Sequence, residues 1–441
     1  MNSRFLLAAA HSGAGKTTIT LGLLRALRNK GYTVQPFKCG PDYIDPIHHC
    51  TAAGRDSFNL DRFMMSDAHI KNLYGRYGGA SDIAIIEGVM GLFDGATKDE
   101  GSSADIARLL DLPVVLILDA KAMAYSAAAI LYGLKNFDTR LKIAGVIFNF
   151  VDHAAHYRVL VEACGDVGIK PLGYLPTNED LRIPERQLGL DTASKETAIA
   201  AAAGQIERYI DLETLLSLTQ TPTPPPQKIT PQTFVRDLRF HSETPQKRIL
   251  IARDEAFHFL YPENIRLLRQ WGQITYFSPV HDQELPFRPD LLYLPGGYPE
   301  LYPRQLSENK NMLRQISTYA QANGRIIAEC GGMMYLGRSI VDDKGKEWPM
   351  AGVLDISTSM AHRGLTIGYR TFRLGNTTIK GHEFHFSQPI GTWTSKDVEI
   401  TNARGEPAPT PFFHSDNLLA SYAHFYWGEN MDLLNSGVCR Q

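Results

Sequence analysis

Ala10-His11-Ser12-Gly13-Ala14-Gly15-Lys16-Thr17 decides how this chain is read. The run fits Gly-x4-Gly-Lys-Ser/Thr, with Ala10 in the first glycine position. The apolar stretch Arg4-Phe5-Leu6-Leu7-Ala8-Ala9 before it has strand length. After it, Ile19, Leu23, Leu24 and Leu27 recur at helical spacing, and Gly31 ends the pattern. A strand, a loop of small residues and a helix in that order predict a phosphate cradle. Small residues let backbone N–H groups turn toward phosphate oxygens, and the helix N-terminus adds partial positive charge. Gly13 and Gly15 are expected to shape the loop around ATP. Lys16 is expected to bridge the β- and γ-phosphates, and Thr17 to hold Mg²⁺.

Working outward, apolar runs at 33–38, 83–86, 114–118 and 143–148 read as strands, with helical stretches between them such as 124–134. Continuous apolar runs imply strands covered on both faces, so the first half is a doubly wound parallel sheet with ligands at its carboxyl ends. Glu87 directly follows the strand at 83–86, where a P-loop enzyme places a Mg²⁺-organising carboxylate. Asp42 and Asp45 stand on the loop Lys38-Cys39-Gly40-Pro41-Asp42-Tyr43-Ile44-Asp45-Pro46, braced by Gly and Pro. Asn149 ends the fourth run, where an amide could read adenine; a strand-terminal turn residue is the equal alternative.

The Pro-rich stretch starting at Thr219 predicts an extended linker over 219–246, dividing an ATP-dependent domain, 1–218, from a second domain, 247–441. Strand–helix alternation restarts there: strands at 248–252, 274–277, 291–294 and 325–328, helices at 261–271 and 307–322, then β structure from about 353. Cys330 follows the strand at 325–328, in Ala328-Glu329-Cys330-Gly331-Gly332. A nucleophile on a sharp strand-to-helix turn stands clear of the sheet, and glycines permit the turn. The helix N-terminus behind it is expected to favour thiolate. Backbone N–H groups of Gly331, and of Gly296 and Gly297 in Leu294-Pro295-Gly296-Gly297-Tyr298-Pro299-Glu300, could form an oxyanion hole. A Cys nucleophile needs a base: His424 has the best context, and His382 and His385 compete.

Composition narrows the class. The 441 residues are too many for one compact core, and 44% hydrophobic with 21% charged residues is a globular balance. A net charge of −2 argues against a nucleic-acid footprint, and no apolar run is long enough to span a bilayer. The N-terminus enters a strand directly and five scattered cysteines form no disulfide framework, so a reducing cytoplasm is expected. His48-His49-Cys50 with Cys39 matches no zinc spacing and reads as a polar loop.

Taken together, the motifs resemble the cobyrinate a,c-diamide synthase family of corrinoid biosynthesis. The resemblance is carried by the P-loop run, the loop at 37–46, Asn59-Leu60-Asp61, Glu87-Gly88-Val89-Met90-Gly91-Leu92-Phe93-Asp94-Gly95, Glu185-Arg186-Gln187-Leu188-Gly189-Leu190, the loop at 294–300, Cys330-Gly331-Gly332 and Gly381-His382-Glu383-Phe384-His385. It implies an α/β chain of two domains, one like dethiobiotin synthetase and one a class I glutamine amidotransferase. Cys330 is then the glutaminase nucleophile and His424 its base. Tyr426 stands where familiar triads carry a Glu, so a Cys–His dyad is implied. Asp42, Asp45 and Glu87 carry over as nucleotide and Mg²⁺ residues, and Tyr43 and Asp94 as substrate-side residues. The implied partners are ATP, L-glutamine and cobyrinic acid or a related tetrapyrrole (hydrogenobyrinate or nickel sirohydrochlorin), with Arg55 and Arg62 as unassigned candidates for its carboxylates. A homodimer is left open. From another class, a partitioning-type ATPase shares the P-loop fold but carries an early second Lys, where this chain has His11 and Ser12.

Overall fold

A computed structural model describes residues 2–178, 181, 192–222, 247–361, 363–375, 377–391, 393 and 398–429. The motif at 185–190, Cys439 and most of the expected linker lie outside the described residues. The chain forms two compact units, Met1–Ile229 and Thr230–Gln441.

The first unit runs β1 (Asn2–Ala9), α1 (Lys16–Asn29), β2 (Val34–Cys39), α2 (Ile44–Ala53), β3 (Phe58–Leu60), α3 (Asp67–Gly78), β4 (Ile83–Glu87) and α4 (Ser103–Leu110). It continues with β5 (Pro113–Asp119), α5 (Ala127–Asn136), β6 (Lys142–Asn149), α6 (Ala154–Val167), β7 (Pro171–Leu175), α7 (Thr192–Tyr209), α8 (Leu212–Leu218) and β8 (Gln220–Thr221). The sheet order is β3-β2-β4-β1-β5-β6-β7. Every neighbouring pair along that order is parallel. Strand order reverses beside β1, so the loop after β1 sits at the switch point where such sheets bind ligands. The apolar runs that predicted the strands are the buried ones: Phe5, Leu6 and Leu7, Ile85 and Ile86, and Val115 to Ile117 are sealed from water. On one face α1 lies hard against α7, since a Cβ on Gly22 would come within 2.7 Å of Ile206.

One boundary differs from expectation. Thr219 to Thr221 are not linker: Gln220–Thr221 pairs antiparallel with Asn2 and Ser3, and Thr219 accepts a hydrogen bond from the Arg4 amide at 2.9 Å. Pro222, next in the chain, cannot donate to a ladder and lies outside the strand.

The second unit contains β9 (Lys247–Ala252), α9 (Pro262–Trp271), β10 (Gly272–Phe277), β11 (Leu291–Leu294), α10 (Pro303–Glu308), α11 (Lys310–Gln321), β12 (Ile326–Glu329) and α12 (Gly331–Leu336). Ten short strands follow: β13 (Ser339–Val341), β14 (Glu347–Pro349), β15 (Ser357–Ser359), β16 (Thr366–Leu374), β17 (Thr377–His385), β18 (Gln388–Ile390), β19 (Glu399–Thr401), β20 (Phe412–His414), β21 (Leu418–Ser421) and β22 (Ala423–Phe425). The main sheet is ordered β10-β9-β11-β12-β21-β20, parallel except for its β20 edge. Two four-stranded sheets, β14-β13-β15-β18 and β19-β16-β17-β22, account for the β-rich end. The single helix expected at 307–322 is two helices. Asn309 breaks it by capping α11: its side chain accepts from the Met312 amide while its Nδ2 donates to Pro279 and Asp282 carbonyls.

Candidate active sites

The first site is assembled by the carboxyl ends of the adjacent strands β2, β4 and β1, with Asn149 reaching in from the end of β6. Gly13 (φ +82°) and Gly15 (φ +90°) carry the left-handed backbone of the loop after β1. Asn149, at the end of β6, ties that loop down: its Nδ2 donates to Ala14 O at 3.0 Å, and its Oδ1 accepts from the Phe150 amide. A Cβ on Gly15 would fall 2.0 Å from Asn149 Nδ2, so glycine there is a packing requirement as well as a conformational one. Lys16 donates to Met90 O at 2.6 Å and His11 O at 3.2 Å, folded across its own loop. Burial and neighbouring Lys38 pull its ammonium below the usual lysine value.

Thr17 donates to Glu87 Oε1 at 2.7 Å, with Asp45 Oδ2 at 3.4 Å. Between them stands Lys38, at the end of β2, a residue to which the sequence reading gave no role. Its Nζ donates to Asp45, to Glu87 at 2.8 Å and to Gly88 O, with Asp42 at 3.7 Å. Burial alone would depress this ammonium, but Asp45, Glu87 and Asp42 outweigh it and hold it well above its ordinary value. Glu87 is fully buried; burial pushes its carboxyl up, but Lys38 and His49 win and hold it well below the usual range. His49 supplies the other half of that support, with Nε2 2.7 Å from Glu87 Oε2 and Nδ1 3.0 Å from Ser57 Oγ. Asp45 goes the other way: burial, Asp42 and Glu87 raise it well above the ordinary value. The signals were present in the sequence, a Lys closing an apolar strand and a His one helical turn after Asp45, but only the fold shows that they meet Glu87.

Asp42 caps α2, its Oδ1 accepting from the Ile44 and Asp45 amides at 2.8 and 3.1 Å. Asn59 anchors the same loop by donating to Gly40 O and Asp42 O. Tyr43 is buried, whereas Asp94 is exposed and accepts from the Gly91 amide at 2.9 Å. Arg62 is spent within the protein, bonded to Asp67 through two nitrogens and to Asp105 through the third, so it is not an available anion contact. Arg55 instead lines a separate cleft of about 610 Å³ with Gln35, Cys50 and Tyr77. His48, His49 and Cys50 stand on α2 and not on a polar loop, with both histidines buried. Thr17, Glu87 and Asp45 do offer hard oxygens of the kind Mg²⁺ takes when phosphates and waters complete its shell.

The second site surrounds Cys330, which breaks the helical pattern with φ +46° and ψ −105° at the turn from β12 into α12. A non-glycine residue in that region is strained, as expected of a nucleophile on a sharp turn. Its amide donates to Ser421 O at 2.7 Å, which fixes the turn on β21. The glycines make the approach possible. A Cβ on Gly332 would lie 2.0 Å from Leu294 O, and one on Gly331 would lie 3.1 Å from the Gly297 amide nitrogen. The two loops expected to supply oxyanion donors therefore do meet. Gly296 O accepts from the His258 and Phe259 amides, holding its loop in place.

His424, in β22, packs on that loop so closely that a Cβ on Gly296 would meet its Cε1 at 2.0 Å. His385 is not a competing base, because both nitrogens are engaged: Nε2 with Glu383 at 2.9 Å and Nδ1 with Ser387 O at 2.7 Å. His382 sits opposite His424 in the β17–β22 register. Tyr426, at the position of the missing triad Glu, is buried against Tyr261, ring centroids 5.4 Å apart. The expectation that the helix end favours thiolate fails. Burial pushes the Cys330 thiol well up, Glu300, Glu383 and Glu329 push it further, and the opposing Gly331 amide is outweighed. Burial likewise lowers His424 well below the ordinary histidine value. Burial raises Glu329 to about 8 and Glu300 to about 7, whereas Glu383, despite burial, is held below its ordinary value by His385 and Arg370.

A chain with a P-loop sheet unit and a strained-Cys α/β unit is a nucleotide-dependent glutamine amidotransferase in class. The comparisons make the class specific. Residues 5–190 match the CobQ/CobB/MinD/ParA nucleotide binding domain, and residues 248–431 match the CobB/CobQ-like glutamine amidotransferase domain. The chain is 40% identical over 454 residues to the cobyrinate a,c-diamide synthase of Caldanaerobacter subterraneus subsp. tengcongensis, covering 99% of this chain and 97% of that one. It is 39% identical over 457 residues to that of Dehalococcoides mccartyi strain CBDB1, with the same coverage. It is 41% identical over 397 residues to the hydrogenobyrinate a,c-diamide synthase of Brucella suis biovar 1, covering 88% of this chain and 89% of that one. The chain belongs to the cobyrinate a,c-diamide synthase family, and its chemistry is that of a carbon–nitrogen ligase with glutamine as nitrogen donor. No helix is long and apolar enough to cross a membrane among the described residues.

Proposed function

We propose that this chain amidates the a and c acetate carboxylates of cobyrinic acid, using ATP and glutamine, in cobalamin biosynthesis. The observation that supports it most is the presence, in one chain, of a charged cluster at Thr17–Glu87 and of a strained Cys330 whose turn meets the loop on which His424 packs. A partitioning switch has no use for the second site.

A carboxylate is a poor acyl donor because its leaving group would be oxide. At the first site a substrate carboxylate oxygen attacks the γ-phosphorus of ATP, the bond to the β-bridging oxygen breaks, and ADP leaves an acyl phosphate. Lys16 stabilises the charge on the transferring group, and the loop amides at Gly13 and Gly15 hold the phosphates. Thr17, Asp45 and Glu87 would hold Mg²⁺ together with nucleotide phosphates and waters, and the ion would supply charge neutralisation there. Asn149 keeps one amide hydrogen and one oxygen lone pair for the adenine base beyond its bonds to the loop. Asp94 and the Asp42–Tyr43 loop lie on the substrate side.

At the second site Cys330 attacks the glutamine amide carbon. Its proton passes by way of His424 to the leaving nitrogen, giving ammonia and a glutamyl thioester that water then hydrolyses. Gly296, Gly297 and Gly331 amides face the oxyanion. Ammonia displaces phosphate from the acyl phosphate and leaves an amide.

The test is direct. Purified protein with ATP, Mg²⁺, glutamine and cobyrinic acid should give a product lighter by the exchange of two hydroxyl groups for two amino groups in mass analysis. Absence of amidation on any tetrapyrrole, with ATP hydrolysis driven by self-assembly, would contradict the proposal. Hydrogenobyrinic acid is the second acceptor to test, because the Brucella suis relative named for it is as similar as the cobyrinate enzymes.

A further inference from the structure

The sheet of the first unit has a second cavity, at the end opposite the P-loop. Its volume is about 620 Å³, and it is lined by the starts of β1, β5 and β6 together with α3, α4 and the turn into β8. At its floor lies Arg4, which is 1% exposed. Its NH2 donates to Gly78 O at 3.0 Å, but its buried Nε and NH1 have no acceptor among the described residues. The Tyr74 hydroxyl beside it is also buried with no partner among the described residues. A guanidinium taken out of water without acceptors is costly, and burial lowers the Arg4 value accordingly. A parallel sheet has no structural need for a charge at this point on its central strand. The other walls mix apolar Leu112, Ile143 and Leu218 with polar Gln220 and Thr221, and Lys71 and Lys142 stand at the exposed rim. Lys142 is already paired with Asp111, the one carboxylate on the lining, at 2.6 Å.

We propose that this cavity is a ligand site for a small organic monocarboxylate with an apolar body. The planar guanidinium fork matches a carboxylate, and Tyr74 can donate one further hydrogen bond. One deep cation beside the apolar side chains of Leu112, Ile143 and Leu218 suits a single charge on a hydrocarbon frame better than a phosphate dianion. The site is independent of the nucleotide, since the sheet separates it from Lys16.

Hexanoate is the probe, with acetate and hexanol as head-only and tail-only controls. Binding to the full chain, saturated with ADP and Mg²⁺ to block the first site, is measured by calorimetry. Hexanoate should bind the parent chain more tightly than either control. Arg4→Met should lose about tenfold or more of that affinity, and Tyr74→Phe about two- to fivefold. Should Arg4→Met fold poorly, Leu218→Trp fills the mouth from an exposed position and should block hexanoate with Arg4 intact. Failure of the parent to bind hexanoate at tens of millimolar would overturn the proposal. So would equal binding by parent and Arg4→Met, or by parent and Leu218→Trp.

Discussion

The two sites solve opposite electrostatic problems. Around Thr17, fixed charges are buried together: Lys38 is held protonated and Glu87 ionised, each by the other. Around Cys330, burial pushes the thiol, the imidazole and the carboxyls of Glu300 and Glu329 toward their neutral forms, while Glu383, paired with Arg370, is held toward its charged form. The difference follows from what each site moves. Phosphoryl transfer shifts negative charge between oxygens, and preorganised charges stabilise that without rearranging. Thioester formation moves a proton from sulfur to a leaving nitrogen, and a neutral pair in a dry pocket stays inert until an amide carbonyl enters the oxyanion hole. A resting thiolate would be exposed to oxidation and stray electrophiles.

The contrast can be broken from either side. On the charged side the largest effect is expected for Lys16→Met, which should cut ATP-dependent amidation by at least ~10²-fold with glutamine or ammonia as nitrogen source. Basal glutamine hydrolysis by the same variant should stay within about threefold of the parent; a parallel loss would mean that the two sites are not separate machines. Lys38→Met should come next. It leaves Asp45 and Glu87 buried without their cation, and the transition of the first unit in calorimetry should fall by ~3–5 kcal/mol. Unchanged stability would show that the cluster is not held by its charges.

The neutral side is tested through Glu329. Its carboxyl, ordinarily near 4.5, is raised to about 8 by burial. Between those values the folded chain keeps a proton that the unfolded chain has released, so stability falls as pH rises through that window. Glu329→Gln mimics the neutral acid, and its stability should be flatter over the same range, by on the order of a few kcal/mol at the alkaline end. An identical pH profile for parent and variant would place the charge elsewhere. The smallest effect belongs to Asn149→Ala. Losing the tie to Ala14 O should raise KM for ATP severalfold, equivalent to ~1–2 kcal/mol, with glutamine hydrolysis unaffected.

How much of this was legible in the sequence depends on distance along the chain. The P-loop and the Cys330 turn are contiguous motifs whose backbone needs select small residues, and both stand where the residues place them. Glu87 was legible because the end of a parallel strand is a predictable location. Lys38 and His49 were not, since their meaning is the three-way meeting with Glu87, which exists only once β2, α2 and β4 are assembled. Arg62 shows the converse error. A basic residue near an acidic loop suggests an anion contact, but Asp67 and Asp105 claim it first. The thiol of Cys330 shows a misjudged magnitude. The Gly331 amide does lower it, and burial among carboxyls does more.

Cys330→Ser tests the central claim most directly. Product mass is followed with ATP, Mg²⁺ and cobyrinic acid, once with glutamine and once with ammonium salt at alkaline pH. The variant should lose glutamine-supported amidation by ~10³-fold or more and keep ammonia-supported amidation near the parent rate. Loss of both in a folded protein, or retention of glutamine use, would contradict the division between a charged site that activates the acid and a neutral site that makes the ammonia.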